Sequence, residues 1–260
     1  MDKAELLYWT TLTGILSALA TGLGAIPVAY IRNRSQVVKA FASAVAAGMM
    51  ISASVFSLAQ EGIALKIKRP SAPYEVILGL LLGAAFFWLV EKFFENRDLH
   101  LGDIGKGATK RAFLIFVAMF VHSIPEGVAI GVGFGTGDFN FGLIMALAIS
   151  VHNIPEGIAI SLPLRAEGVS IWMCALLSIL SSIPQPIFAV PSALAVWLFE
   201  PLLAVGLGFA GGAMIYLTVA ELIPEALENG GKGLTAWGVM VGLAGMLLIT
   251  SLLNLIDGKL

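Results

Sequence analysis

Long apolar runs, separated by short polar segments, fill nearly the whole chain. A helix that crosses a membrane needs about 20 mostly apolar residues, and eight runs come close to or exceed that length. The polar segments between them are too short to hold a soluble domain of ordinary size. The pattern predicts an all-α, polytopic membrane protein with one transmembrane domain over residues 1–260. Its eight transmembrane helices are expected near residues 5–30, 40–63, 75–95, 112–134, 141–163, 169–190, 201–226 and 234–256.

The composition agrees with a chain surrounded by a lipid bilayer. Hydrophobic residues make up 58% of the chain and charged residues 12%, whereas a soluble domain carries about 25% charge. The net charge of −2 and the absence of a basic patch give no reason to expect a nucleic-acid partner. The single cysteine, Cys174, excludes a disulfide framework and a CxxC metal site. The N-terminus lacks the features of a cleaved signal peptide, so we expect the first apolar run to remain as a helix.

The distribution of Lys and Arg predicts the orientation in the membrane. An even number of spans places both termini on one side. If that side is the outside, the inner loops hold ten of the 15 Lys and Arg residues. This excess follows the positive-inside rule, although the cluster of Lys66, Lys68 and Arg69 would then face outward. We therefore predict an integral protein of the cell (inner) membrane with both termini on the non-cytoplasmic side.

Spans four and five contain a near-exact repeat, HSIPEGVAIG from His122 and HNIPEGIAIS from His152. In each copy a histidine and a glutamate stand four residues apart. On a helix this spacing puts both side chains on one face, about one turn apart. The two helices therefore offer two similar pairs, His122 with Glu126 and His152 with Glu156.

Each copy also contains a proline and a glycine that affect helix geometry. Pro125 and Pro155 remove an amide donor and clash with the carbonyl four residues earlier, so kinks are predicted in both helices. Irregular backbone at membrane depth occurs only where it is buried in protein or lines a polar cavity. Gly127 and Gly157 follow the glutamates and would let a neighbouring helix approach closely.

The Ile-Pro pair of these motifs recurs twice more, as SSIPQ from Ser181 in span six and as ELIPE from Glu221 in span seven. We call each of these four short stretches an Ile-Pro frame.

An ionised side chain at mid-membrane costs roughly 3 kcal/mol or more, so Glu126 and Glu156 require a compensating charge. One divalent cation neutralises two carboxylates. Two neutral imidazoles complete an N/O donor set that suits Zn²⁺, with Mn²⁺, Fe²⁺ and Cd²⁺ as rivals. The predicted metal ligands are His122, Glu126, His152 and Glu156.

Two other functions use the same residues. An intramembrane zinc hydrolase would use the metal to activate water. The chain lacks an HExxH motif, however, and a catalytic site needs an open metal position and a separate general base, whereas all four groups here look like ligands. A proton or cation channel would use Glu126 and Glu156 without binding a transition metal. Zinc affinity and flux measurements distinguish these alternatives.

The motifs at His122–Gly127 and His152–Gly157, together with the stretch from Gly211 to Glu225, resemble those of the ZIP (Zrt/Irt-like) family of metal transporters. The resemblance extends over essentially the whole chain. It implies a homodimer that moves zinc or a similar divalent metal toward the cytoplasm, with the site between the fourth and fifth helices. The metal would be the transported substrate, and the protein would have no cofactor and no enzymatic activity.

The resemblance also implies a second metal position beside the first. In the family, this position shares both glutamates and adds a carboxylate from the sixth helix, where this chain has Gln185. Ser123 stands where Asn or Asp is usual, whereas Asn153 is retained. We expect Ser123, Asn153 and Gln185 to form a supporting or secondary subsite of reduced charge, and Glu221 to lie on the transport pathway.

Overall fold

A computed structural model describes residues 1–30, 36–65, 69–95, 108–166, 168–199 and 202–256. Its helices are α1 (Lys3–Leu23), α2 (Ala25–Tyr30), α3 (Gln36–Ser52), α4 (Gln60–Ala64), α5 (Ala72–Glu95), α6 (Ala108–Gly135), α7 (Phe139–Ala166), α8 (Ile171–Ser181), α9 (Pro184–Leu198), α10 (Leu202–Leu217) and α11 (Ile223–Ile256). Two π-helical segments, Ala53–Ala59 and Thr218–Leu222, connect α3 to α4 and α10 to α11. These ranges contain no strand, so the all-α prediction is confirmed for them.

Among the described residues, six helical stretches are long and apolar enough to cross a membrane. They are Lys3–Tyr30, Gln36–Ala64, Ala72–Val90, Phe139–Leu162, Ile171–Leu198 and Leu202–Leu252. The last stretch has 51 residues, which corresponds to about 76 Å of helix and is more than twice the thickness of a hydrocarbon core of about 30 Å. Helical geometry is interrupted within it at Gly231, where φ is 73° and ψ is 171°. Glycine tolerates this backbone conformation because it has no Cβ.

Two of the four Ile-Pro frames coincide with irregular backbone. In SSIPQ, α8 ends at Ser181 and α9 begins at Pro184, where the missing amide donor costs nothing at a helix start. In ELIPE, the π-helical segment Thr218–Leu222 ends two residues before Pro224. In the other two frames, α6 and α7 continue through the prolines without interruption. The kinks in those two helices therefore stay a prediction.

The sixth span ends later than predicted. Its sequence was expected to leave the helix near residue 190, but α9 continues through Pro191 to Leu198. A proline inside a membrane helix is tolerated where neighbouring helices or small local adjustments satisfy the freed carbonyl.

The helices pack in pairs that form two groups. In one group α3 packs on α11 and α5 on α10, and in the other α6 packs on α9 and α1 on α7. Contacts of α6 with α10 and of α7 with α3 join the groups. A Cβ on Gly127 would lie 2.5 Å from the carbonyl oxygen of Gln185, and one on Gly157 would collide with the Thr21 carbonyl. The predicted close approach at both glycines is therefore confirmed.

Polarity is distributed as expected for a protein in lipid. Large apolar side chains such as Leu81 and Trp172 are exposed on the outer helix faces. The interior buries many hydroxyl groups together with Glu126, His152 and Glu156. Because buried ionisable groups in a membrane mark functional sites, this interior is where the chemistry is expected.

Candidate metal centre

Three buried ionisable residues converge between α6 and α7. Glu126 lies on α6, and His152 and Glu156 lie one turn apart on α7. Each offers a ligand atom, and these atoms all lie within 4.8 Å of one another. Their exposed fractions are 0%, 0% and 2%. The four-residue spacing aligns the α7 pair, and the packing of α6 against α7 brings Glu126 to it.

The carboxylate of Glu126 is held through both oxygens. Its Oε1 lies 3.1 Å from Nε2 of His152. Its Oε2 accepts a hydrogen bond of 2.6 Å from Nε2 of Gln185. Because Gln185 belongs to α9, Glu126 links three helices: α6, α7 and α9. The amide group of Gln185 therefore forms a hydrogen bond with one carboxylate oxygen of a predicted metal ligand, Glu126.

The hydrogen-bond network extends from Gln185 to α1 through Asn153. The Nδ2 of Asn153 donates to Oε1 of Gln185 over 3.2 Å. The same nitrogen lies 2.9 Å from the backbone oxygen and 3.1 Å from the hydroxyl of Ser17. With three acceptors around Nδ2, the Asn153 amide has a defined orientation. Asn153 and Gln185 therefore lie beside Glu126 in one hydrogen-bond network, and their supporting role stays a prediction.

Ser17 was not among the predicted site residues, although the sequence contains a signal for it. Thr10, Thr13, Ser17 and Thr21 recur at helical spacing along one face of span one, and all four are buried. A row of hydroxyls on one face of a membrane helix indicates a polar neighbour. Which neighbour that is depends on how α1 packs against α7 and α9.

Several buried polar atoms of the site have no hydrogen-bond partner among the described residues. They are both carboxylate oxygens of Glu156, Nδ1 of His152 and Oδ1 of Asn153. Burying a polar group without a hydrogen-bond partner costs several kcal/mol of folding free energy, and burying a carboxylate in this way costs more. A bound cation would compensate for this cost. One imidazole nitrogen with carboxylate and amide oxygens matches the donors that Zn²⁺ and its neighbours accept.

The remaining predicted residues are placed differently. Ser123 is buried on α6, and its hydroxyl donates to the Met119 carbonyl over 3.2 Å, one turn earlier on the same helix. The backbone of His122 lies on α6 one turn before Glu126, but its side chain lies outside the described part of the structure. Glu221 lies half-buried in the π-helical segment Thr218–Leu222 and does not belong to the group of three.

Comparisons with known proteins identify similar zinc transporters. A sequence profile of the ZIP zinc transporter family matches residues 99–250. The chain is 37% identical over 234 residues to the zinc transporter GufA of Myxococcus xanthus, and the match covers 88% of this chain and 92% of that protein. It is 42% identical over 154 residues to the zinc transporter ZIP11 of Homo sapiens, with 57% of this chain and 45% of that protein covered.

A protein of Arabidopsis thaliana is 36% identical over 237 residues, which are 90% of this chain and 37% of the plant protein. The chain thus spans less than half the length of the human and plant relatives but nearly all of the bacterial one. These comparisons give no support to a hydrolase. Because the profile covers more than half of the chain and the bacterial relative matches almost throughout, the chain belongs to the ZIP zinc transporter family.

Proposed function

We propose that this protein moves divalent transition metal ions, zinc first and Mn²⁺, Fe²⁺ or Cd²⁺ as rivals, across the membrane toward the cytoplasm. The observation that carries the proposal is the set of buried ligand atoms on Glu156, His152 and Asn153 that have no hydrogen-bond partner in the described part of the chain. The metal is the transported substrate. The proposed ligands are the four residues of the repeated motifs: His122, Glu126, His152 and Glu156.

Charge and donor type favour a divalent transition metal. As metal ligands, Glu126 and Glu156 would supply two negative charges in a buried site, and their amide neighbours Gln185 and Asn153 are neutral. One divalent ion balances the two carboxylates, whereas a monovalent ion leaves one charge uncompensated. The imidazole of His152 favours zinc and related metals over Ca²⁺ and Mg²⁺, which prefer oxygen ligands. A proton or alkali-cation channel therefore fits the donors less well.

The proposed architecture has eight spans within one transmembrane domain of residues 1–260. The stretch Leu202–Leu252 is long enough for two spans, and the break at Gly231 supports its division. The 28-residue helix α6 supplies a further span. Kinks at Pro125 and Pro155 belong to the same proposal.

The family resemblance supports a homodimer. The Lys and Arg count supports an orientation with both termini on the non-cytoplasmic side of the cell membrane.

Transport would follow alternating access, in which one group of helices moves against another. The helix pairing supports this scheme because α6, α7 and α9, which carry the metal centre, belong to one group. We assign Ser123, Asn153 and Gln185 to a supporting subsite, and Glu221 to the pathway beyond the centre. Metal release requires a lower metal affinity once the site opens. Protonation of the ligands would lower that affinity, because imidazole and carboxylate bind metal only in their unprotonated forms.

The test is zinc uptake into liposomes that contain the purified protein. Alanine at each proposed ligand should abolish saturable uptake and weaken zinc binding by more than the 10- to 100-fold that loss of an outer-shell partner causes. Ser161→Ala is the control, because that hydroxyl is equally buried on α7 but bonds to Ser178 over 3.2 Å. Normal uptake by any two of the four alanine variants, with correct folding, would contradict the assignment. Proton or sodium flux without zinc binding would identify a channel.

A further inference from the structure

An ion pair connects α3 to α11, away from the candidate metal centre in the sequence. The ammonium group of Lys39 contacts Oε1 of Glu225; the Lys39 side chain is buried, whereas the Glu225 side chain is 33% exposed. The hydroxyl of Ser43, one turn further along α3, donates to Oε2 of Glu225 over 3.1 Å. One oxygen of this carboxylate is therefore held by a cation and the other by a hydroxyl group.

The packing of α3 on α11 does not depend on this ion pair. Gly48 faces the Val239 carbonyl and Gly242 faces the Val45 carbonyl so closely that a Cβ at either glycine would collide with backbone. Glycine contacts of this kind hold membrane helices together through van der Waals packing. The ion pair, by contrast, adds only about 0–1 kcal/mol, because the Glu225 side chain is one-third exposed and water weakens the attraction between the two charges. The pair therefore calls for a role other than packing.

In the sequence, Glu225 lies near Glu221, which we assign to the transport pathway. Glu221 lies within the π-helical segment Thr218–Leu222, and Glu225 follows four residues later in the first turn of α11. Such segments are frequent at functional sites. Within that segment, the Thr218 hydroxyl lies 3.9 Å from the sulfur of Met50 on α3. A second polar contact thus joins α3 to the chain just before α11.

We propose that Glu225 is a second cation position on the transport path, and that the ammonium group of Lys39 is its resident cation, which the transported divalent ion displaces. Lysine suits this role because its charge is compact and sits on a flexible stem. A divalent ion interacts more strongly with the carboxylate than an ammonium group does, and when the ion leaves, Lys39 restores the neutral pair. The inference rests on the proposed transport function.

The first test measures zinc binding at equilibrium in the full-length protein with the metal centre disabled by Glu126→Ala and Glu156→Ala. Adding Lys39→Met removes the resident cation, so zinc should bind at the second position more tightly, on the order of tenfold or more. Adding Glu225→Gln as well should abolish that gain. Arg69→Met is the control, because Arg69 forms a comparable ion pair with Glu75 on another part of the chain. No gain with Lys39→Met, or a gain that survives Glu225→Gln, would overturn the proposal.

The second test measures zinc flux with an intact metal centre and also applies if Lys39→Met alone folds poorly. Glu225→Gln leaves the lysine charge unpaired on the path, so kcat should fall about tenfold while KM stays near the wild-type value. The double variant Lys39→Met/Glu225→Gln should recover several-fold in kcat because that charge is gone. A purely structural pair would lower the yield of folded protein without this pattern. Equal kcat values in Glu225→Gln and the double variant would overturn the inference.

Failure of this inference can be distinguished from failure of the proposed function. The proposed function fails if the wild-type protein shows no saturable zinc uptake or if Glu156→Ala leaves uptake unchanged. The binding test needs no transport at all, since it compares variants that already lack the centre.

Discussion

Replacing Gln185 with glutamate should change the number of metal ions that the centre holds. In the structure, the Gln185 amide donates to Oε2 of Glu126 over 2.6 Å and accepts from Asn153. A neutral donor therefore occupies the position where a second cation would meet Glu126. The wild-type protein should hold one tightly bound zinc ion per chain, and Gln185→Glu should hold two.

The magnitude follows from the distance between the two groups. Two carboxylates repel by about 6 kcal/mol at the observed 2.6 Å and by about 4 kcal/mol if they separate to about 4 Å, with an effective dielectric constant near 20. A typical protein has only about 5–15 kcal/mol of total stability. The variant therefore needs a proton or a metal ion between Glu126 and the new carboxylate at position 185, and at neutral pH zinc should stabilise the variant more than it stabilises the wild type.

The assay combines metal counting on purified protein with thermal unfolding in detergent, with and without zinc. A zinc concentration of about 100 times Kd should contribute about 2.7 kcal/mol for each site. Gln185→Met is the matched control, because it removes the hydrogen bonds without adding charge and should keep one zinc per chain. Two tight zinc ions in the wild-type centre, or no second ion in Gln185→Glu, would refute the reasoning.

Three further predictions concern packing and the orientation of a supporting side chain. Gly157→Val should lower the thermal midpoint, because overpacking costs about 1–3 kcal/mol and a carbonyl of α1 stands against this glycine. Gly231→Ala should cost about 1 kcal/mol or more because φ is 73° there, whereas Gly245→Ala, with open space around it, should be neutral or stabilising. Asn153→Leu should weaken zinc binding by about 10- to 100-fold in equilibrium dialysis. A wild-type midpoint for Gly157→Val or Gly231→Ala, or wild-type affinity for Asn153→Leu, would contradict the corresponding argument.

Local features of the chain made much of the fold predictable. Each predicted span overlaps a helix of the structure, because apolar length and helical spacing are properties of neighbouring residues. The main departure is Pro191, which was expected near a helix end but lies inside α9. Proline disfavours a helix locally, yet the surrounding helices decide whether the freed carbonyl is satisfied.

The sequence by itself determined the residue types of the metal centre and the pairing of His152 with Glu156, since four residues make about one helical turn. Only the tertiary structure decided which other groups meet them. The bond from Gln185 to Glu126 joins residues 59 positions apart, that from Asn153 to Ser17 spans 136 positions, and that from Ser43 to Glu225 spans 182. Contacts of this kind depend on the rotation and depth of each helix against its neighbours. Those quantities are set by packing at sites such as Gly127 and not by any local pattern in the chain.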